Sequence, residues 1–137
     1  ERVGPTAALK TLEIMNELES WNQITSKGEY ISKSFKKLAK ETDLKINQWG
    51  IPALTGYTFE SNNASAYKTF ITQEMLKKGY LTDEAVYLSI AHNKTIIKKY
   101  LSEFEKVIKK IKILNNISKI KSLCHGKIAI DNFTRLN

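Results

Sequence analysis

The sequence predicts an α+β fold in which helices pack on one face of a small, mostly antiparallel sheet. Two observations lead to this prediction. Apolar residues recur at helical spacing in four long segments, and between these segments the hydrophobic period shortens to two. The predicted order of elements along residues 1–113 is α-α-β-β-α-β-α.

The first two predicted helices lie at the N-terminal end of the chain. Pro5 falls in the first helical turn, where its missing N–H costs nothing. The apolar stripe of the first helix is formed by Ala8, Leu12, Met15 and Leu18, with Ile14 beside it. The second helix is predicted over residues 21–40, with a stripe of Ile24, Gly28, Ile31, Phe35 and Leu38. Because Gly28 lies inside this stripe, it predicts a close crossing with another helix.

Two strands are predicted between the second and third helices. Residues 44–48 alternate between apolar and polar side chains, which is typical of a half-buried strand. Residues 49–52 end in Pro52, which has no backbone N–H to donate within a sheet and limits the backbone angles of the residue before it. This segment is therefore predicted to turn. Residues 53–59 are rich in β-forming residues, and the two strands together predict an antiparallel pair.

The third helix is predicted over residues 64–78, since the capping residues Ser61, Asn62 and Asn63 precede it and Gly79 follows it. The side chains on its inner face are predicted to be Tyr67, Phe70, Ile71, Glu74 and Met75. Residues 85–91 form a continuous apolar run, which predicts a central strand.

A fourth amphipathic helix is predicted over residues 94–113. Its apolar stripe consists of Ile97, Leu101, Phe104, Ile108 and Ile111. The pattern becomes irregular afterwards, and one more short helix is predicted within residues 117–127. We therefore expect a domain over residues 1–113 and a C-terminal extension over residues 114–137 that packs on or near it.

The 137-residue length fits one domain with its own core. No apolar run approaches the ~20 residues that a membrane span requires, and no signal peptide is visible. The single cysteine, Cys124, excludes an internal disulfide and fits a reducing, cytoplasmic compartment. Because no motif surrounds Cys124, we expect it to be a small, buried apolar residue rather than a nucleophile.

The net charge of +8 leaves two interpretations open. A stand-alone basic α+β module could bind nucleic acid or another acidic partner. However, the positive charge is almost entirely lysine, interleaved with apolar residues on two helices as on solvated faces: Lys36, Lys37, Lys40, Lys98, Lys99, Lys106, Lys109 and Lys110. The chain has two arginines, Arg2 and Arg135. Proteins that recognise bases or bind phosphates through paired hydrogen bonds usually use arginine more often than this. We therefore favour solvated helix faces.

No self-contained active site can be assembled from these residues. The two histidines, His92 and His125, belong to no metal-binding spacing, and no glycine-rich phosphate cradle or nucleophile elbow is present. We therefore predict no catalytic, cofactor-binding or metal-ligating residue in this chain. His92 is predicted to cap or fix a loop, and His125 to be structural. The strand aromatics Trp49, Tyr57 and Phe59 are predicted to lie in the core.

Two segments carry recognisable motifs: residues 1–9, E-R-V-G-P-T-A-A-L, and residues 75–81, M-L-K-K-G-Y-L, continued by residues 84–92, E-A-V-Y-L-S-I-A-H. The first is similar to the sequence that opens the C-terminal small domain of class III pyridoxal-phosphate (PLP) aminotransferases, especially of the glutamate-1-semialdehyde aminomutase branch. The second resembles another motif of the same family. The resemblance covers about residues 1–113. The ending, from Cys124-His125 to residues 133–137, is similar to a C-terminal extension of some of its bacterial members.

The resemblance implies the C-terminal small domain of a cytoplasmic, homodimeric fold-type I PLP enzyme. In such enzymes a lysine holds the cofactor as a Schiff base and an aspartate pairs with the pyridine nitrogen. Both lie upstream of the position that matches Glu1, in the large PLP-binding domain. This chain is therefore expected to close one side of the substrate cleft, and to be inactive and without PLP when alone.

The resemblance also implies a place for one carboxylate. Glu84 matches a strand-start glutamate that lies near the mouth of the active site in the aminomutase branch, so it is expected to be substrate-proximal. The segment from Tyr80 to Glu84 is shorter than in the aminomutases, which favours a related aminotransferase for an amino sugar or another small amino compound. The surface that faces the large domain is expected to allow self-association of the isolated chain.

Overall fold

The computed structural model describes residues 1–130 and confirms the α+β fold and the predicted order of elements, followed by one further helix. The elements are α1 (Val3–Glu17), α2 (Ser20–Thr42), β1 (Ile46–Ile51), β2 (Leu54–Phe59), α3 (Ala64–Leu76), β3 (Ala85–Tyr87), α4 (Lys94–Leu114) and α5 (Ile117–Leu123). The segment 133–137, which resembles a family extension, lies outside the described residues. The division of the chain between residues 113 and 114 remains a prediction.

The sheet has the order β1-β2-β3, and both pairs of strands are antiparallel. Ile51 pairs with Leu54 at the turn of the first hairpin, and Leu54 pairs with Tyr87 on the other side. β2 is therefore the central strand. The prediction of a central strand over residues 85–91 is wrong, because β3 ends at Tyr87. Beyond it the chain folds into a turn in which the backbone N–H of His92 donates to the carbonyl of Ser89 at 3.2 Å.

Three aromatic rings join α2, the central strand and α4. The ring centroids of Phe35 and Tyr57 lie 5.3 Å apart, and the Phe104 ring lies 5.1 Å from each of them. Tilted and edge-on pairs at these distances add to the free energy that burial itself provides. Tyr57 and Phe59 are buried, which agrees with their predicted place in the core.

The buried Gly28 brings α2 against the β1–β2 hairpin. A Cβ atom at Gly28 would lie 1.7 Å from the carbonyl oxygen of Pro52. Gly28 was predicted to mark a crossing of two helices. This prediction is wrong, because the close approach is between α2 and the hairpin turn. One turn further along α2, the Ser32 hydroxyl lies 2.9 Å from the Thr55 hydroxyl, and the Gln48 amide donates to both at 3.0 Å.

The apolar stripe of α1 lies at the surface. No residue of α1 is buried among the described residues. Leu12 is 59% exposed and Leu18 43% exposed, although both are spaced as a packing face requires. α1 is joined to α2 through Glu19, which adopts a left-handed backbone conformation with φ of 44°. The pattern predicted the helix correctly, but it did not reveal that the apolar stripe stays exposed in residues 1–130.

The C-terminal extension is held against α3 by side chains of that helix. Gln73 donates to the carbonyl of Leu123 at 3.0 Å and accepts from the backbone N–H of His125 at 2.6 Å. Thr69 accepts from the N–H of Ala129 at 2.9 Å. Ile120 of α5 is buried in the core. The short helix predicted within residues 117–127 thus ends at Leu123.

Glu74 is the charged residue on the predicted inner face of α3, and its carboxylate joins α3 to α4. Its Oε1 lies 2.6 Å from Lys77 Nζ, and its Oε2 lies 2.8 Å from Lys110 Nζ. Burial opposes the ionisation of Glu74, but the hydrogen bonds from Lys110 and Lys77 outweigh it and hold the pKa at about 2.

We expect the substitution Gly28→Ala to destabilise the chain by about 3 kcal/mol, although alanine is the better helix former. The added methyl group would overlap the backbone of Pro52, and no rotamer change can relieve that overlap. The measurement is urea unfolding followed by circular dichroism. The control is Glu29→Ala at the exposed neighbouring position, which we expect to be near neutral. A Gly28→Ala chain as stable as the wild type would contradict the close approach.

We expect Glu74→Gln to lower the free energy of unfolding by about 2 kcal/mol at pH 7, less than the pKa shift implies because both lysines are half-exposed. The folded-state pKa of about 2 lies below the ordinary value of 4.5, so this stabilisation is present above pH 4.5. It is lost as the pH falls towards 2.

Urea unfolding across pH 2–7 tests this expectation, and the two chains should converge in stability at the acid end. Glu13→Gln is the control, because Glu13 forms an exposed pair with Lys10 at 2.9 Å and its loss should cost less than about 0.5 kcal/mol. A constant difference between Glu74→Gln and the wild type across this range would contradict the assignment.

Candidate functional site

The face of the sheet opposite the helices is apolar and open. Along β2, Thr55 and Tyr57 point towards the helices, so Leu54 and Gly56 lie on the other face. Their cross-strand partners there are Tyr87 for Leu54, and Trp49 and Ala85 for Gly56. Ile51 and Tyr87 are 66% and 73% exposed. We call the set of Trp49, Ile51, Leu54, Gly56, Ala85 and Tyr87 the outer sheet face.

Trp49 belongs to this outer sheet face and not to the core. Its indole ring lies over Gly56, where a Cβ atom would come within 2.3 Å of a ring carbon. The prediction of a core position for Trp49 is therefore wrong, while those for Tyr57 and Phe59 are correct. The alternation of residues 44–48 would place Trp49 on this face, because Gln48 points towards α2, but the segment that begins at Trp49 was predicted to turn.

Glu84 lies directly before β3, where its carbonyl accepts from the N–H of Tyr57 at 3.1 Å and extends the ladder. Its carboxylate is 3.3 Å from Lys68 Nζ of α3, which also lies 2.9 Å from Asp83. The hydrogen bond from Lys68 lowers the pKa of Asp83, although burial opposes it, and the bond to Asp83 raises the pKa of Lys68. This ion triad fastens the connector of residues 77–84 to α3. The substrate-proximal role of Glu84 stays a prediction.

A cavity of about 370 Å³ lies between this connector, β3 and α4. Thr82 and Tyr100 line it, and so does His92. Burial raises the pKa of Tyr100 to about 12, and the neighbouring Thr82 hydroxyl opposes that rise in part. Sequence reasoning missed Thr82 and Tyr100, since neither belongs to a motif. The connector that brings Thr82 next to Tyr100 is irregular, so its sequence shows no hydrophobic period.

His92 fixes the turn after β3, as predicted. Its Nδ1 accepts from the backbone N–H of Ser89 at 3.2 Å. The following Asn93 caps α4 by accepting from the N–H of Ile96 at 3.0 Å. Cys124 is half-buried, and burial raises the pKa of its thiol, so it is a poor nucleophile at neutral pH.

That this chain alone holds no PLP stays a prediction. Binding needs a lysine free to react, a carboxylate beside the pyridine nitrogen and a phosphate cradle. Lys68, which lines the groove beneath the connector, is engaged by two carboxylates. In this part of the chain, no group of three or more His, Cys, Asp or Glu is placed to hold a metal ion. The described helices include none that is both long and apolar enough to cross a membrane.

Comparison with known proteins identifies the class of protein in which this fold occurs. No protein-family model matches the chain, and comparison with curated proteins gave no match. Among solved structures, the fold occurs as part of a PLP-containing protein. That structure is the FumI protein of Sphingopyxis sp. MTA144 in its PLP internal aldimine form, with a TM-score of 0.68 and 17% sequence identity. The match covers 82% of this chain and 27% of the FumI chain. The similarity therefore establishes a shared fold with about a quarter of a longer protein.

Proposed function

We propose that this chain is the C-terminal small domain of a class III PLP-dependent aminotransferase or aminomutase-like enzyme, and that it closes one side of the substrate cleft. The observation that carries the proposal is the fold shared with part of the PLP-containing FumI chain. The two sequence segments that resemble class III enzymes narrow the proposal to this family. In the full-length parent, PLP and its lysine belong to the large PLP-binding domain, and the parent is a cytoplasmic homodimer.

The position of the two segments supports this role. Residues 1–9 contain the first turns of α1, whose apolar stripe has no partner among the described residues and is free to pack on a large domain. Residues 84–92 form β3 and the turn that His92 fixes. They place Glu84 and the exposed Tyr87 at one edge of the sheet, where a cleft between two domains would expose them to a substrate. The short connector favours an amino sugar or another small amino compound.

The proposal is tested on the coding sequence and then on the protein. The DNA upstream of the Glu1 codon should continue the reading frame into a PLP-binding domain with its lysine. In that full-length protein, borohydride reduction followed by mass spectrometry should place the PLP-modified lysine outside residues 1–137. The 137-residue chain treated in parallel should carry no stoichiometric PLP adduct. A single stoichiometric adduct on a lysine of this chain would contradict the proposal.

The second candidate, a stand-alone basic module for nucleic acid or another acidic partner, has less support. Four lysines in the C-terminal half of α4 lie beside carboxylates. The pairs are Lys106 with Glu103, Lys109 with Glu105, Lys110 with Glu74 and Lys112 with Asp43. A nucleic-acid binder should lose affinity steeply as the salt concentration rises. Salt-sensitive binding of this chain to DNA or RNA would favour this second candidate.

We further propose that the isolated chain associates with itself through α1. The apolar stripe of α1 is exposed along the helix. Two copies packed antiparallel would bury this stripe against its own symmetry-related copy. In the parent, the large domain covers the same face.

We expect Leu12→Glu to raise the dissociation constant of this self-association at least about tenfold, because it buries an unpaired charge in the contact. Sedimentation velocity at increasing concentration measures the effect. Ile113→Glu is the matched control, since Ile113 is 81% exposed on α4, and we expect it to leave association unchanged. A wild-type chain that stays monomeric at high concentration would contradict the proposal.

A further inference from the structure

An open groove lies over α3, between the connector and the C-terminal extension. The floor of this groove is the face of α3 from Lys68 to Lys77. One wall consists of the connector and β3, and the other consists of His125, Lys127 and Ala129 of the extension. Its volume of about 1060 Å³ exceeds that of most small-molecule pockets, so the groove suits a segment of polypeptide. We call it the α3 groove.

The α3 groove exposes apolar side chains on its floor and on one wall. Leu76 of the floor is 58% exposed, and Leu81 of the connector is 92% exposed. Tyr87 of the outer sheet face also lines the groove. Exposed apolar side chains that lie together typically mark an interaction surface. A segment placed in the groove would bury all three.

The wall formed by β3 is a free strand edge. The carbonyl of Glu84 and the N–H of Leu88 bond towards β2, at 3.1 and 3.3 Å. Because neighbouring residues of an antiparallel strand direct their backbone groups to opposite sides, Ala85 and Tyr87 direct theirs away from β2. Neither backbone forms a hydrogen bond within residues 1–130. The groove therefore offers a strand the backbone partners that it needs.

The described part of the chain ends at the wall of the α3 groove. The N–H of Ala129 donates to Thr69 at 2.9 Å, and Ile130 beyond it is 88% exposed. Gln73 binds the extension earlier, at His125, so the extension runs from the C-terminal end of α3 towards its N-terminal end. A chain that reverses direction after Ile130 would therefore pass back over the whole groove.

The sequence that follows, outside the described residues, carries the signal of such a reversal. Asp131 and Asn132 are residue types that tolerate the left-handed backbone angles of a two-residue hairpin turn. Ile130 and Phe133 flank them, so the turn would set two apolar side chains opposite each other. The lengths also agree. Residues 133–137 span about 16 Å when extended at ~3.3 Å per residue, and the floor of the groove rises about 14 Å at ~1.5 Å per residue.

We propose that residues 133–137 dock in the α3 groove as an extended strand beside the free edge of β3. The backbone of this strand supplies the partners of Ala85 and Tyr87. Its apolar side chains, Phe133 and Leu136, point to opposite sides, one towards α3 and one towards the outer sheet face. The strand covers an edge that is otherwise open to pairing with another chain. This inference goes beyond the proposed function, because the docking requires neither PLP nor a large domain.

Amide hydrogen exchange of the ¹⁵N-labelled 137-residue chain tests the docking. The variant is the double substitution Phe133→Ser and Leu136→Ser, which removes the apolar side chains of the strand. We expect the N–H groups of Ala85 and Tyr87 to exchange at least about tenfold faster in this variant than in the wild type, because they lose their hydrogen-bond partners. Equal exchange of these two groups in both chains overturns the proposal.

Two controls accompany this measurement. The N–H of Val86 faces β2 and should exchange at the same rate in the variant and in the wild type. Ile113→Ser removes an exposed apolar side chain of α4 outside the α3 groove, and it should leave the exchange of Ala85 and Tyr87 unchanged. Faster exchange of Val86 in the double variant means that the sheet itself opens, which also overturns the proposal.

A nitroxide spin label attached to Asn137→Cys, in a chain that also carries Cys124→Ser, determines which molecule fills the groove. After a reversal at Ile130, position 137 lies near the C-terminal end of α3, so the label should broaden the amide signals of Leu76 and Leu81. A mixture of labelled, unenriched chain with unlabelled ¹⁵N-enriched chain should show no such broadening, because the docking is within one chain. No broadening in the labelled chain overturns the proposal. Equal broadening in the mixture means that a second copy fills the groove, and it overturns the proposal too.

Discussion

The close approach of α2 to the β1–β2 hairpin is the constraint on which the rest of the structure depends. Gly28 lets the helix backbone meet the carbonyl of Pro52 without an intervening side chain. That contact sets the height of α2 over the sheet. At this height the Ser32 hydroxyl reaches Thr55, and the Phe35 ring reaches Tyr57. A larger residue at position 28 would therefore disrupt the Ser32–Thr55 contact and the Phe35–Tyr57 contact together.

The contact with α4 completes the layer of helices. Phe104 lies against Phe35 and Tyr57 at once, so a single ring joins α4 to both α2 and the sheet. Glu74 then ties α3 to α4 through Lys110 at 2.8 Å. With the helices fixed on one side, the opposite face of the sheet and the exposed stripe of α1 remain available. The proposed function places a large domain against these surfaces.

Much of the fold could be predicted from the sequence, because its helices carry strong apolar periods and Pro52 marks the turn of the first hairpin. The prediction of a turn over residues 49–52 is wrong for residues 49–51, which belong to β1. The features that failed depend on long-range partners. An apolar run such as residues 85–91 is typical of a central strand, yet β3 ends at Tyr87 because the next residues fold into a turn fixed by His92. Gly28 in the apolar stripe of α2 predicted a close approach to another backbone, but the sequence alone does not identify that backbone as the one at Pro52.

The candidate site could be predicted less well than the fold. Glu84 was singled out by resemblance, but its ion pair with Lys68 joins residues that are far apart in the sequence and follow no spacing rule. Thr82 was missed for the same reason, since burial of its hydroxyl results from the path of the whole connector. The prediction for Trp49 grouped it with Tyr57 and Phe59 in the core, whereas the register of the hairpin pairs it with Gly56, on the opposite face from Tyr57.

The attachment of the C-terminal extension has a consequence for the order of folding. Gln73 and Thr69 reach Leu123 and Ala129, which are 50 and 60 positions further along the chain. Contacts of such long sequence separation are slow to close, and they can form only after α4 has been synthesised and has packed on α3. During translation the extension therefore docks on α3 after α4 has formed. A nascent chain that ends before residue 117 would leave the outer side of α3 bare.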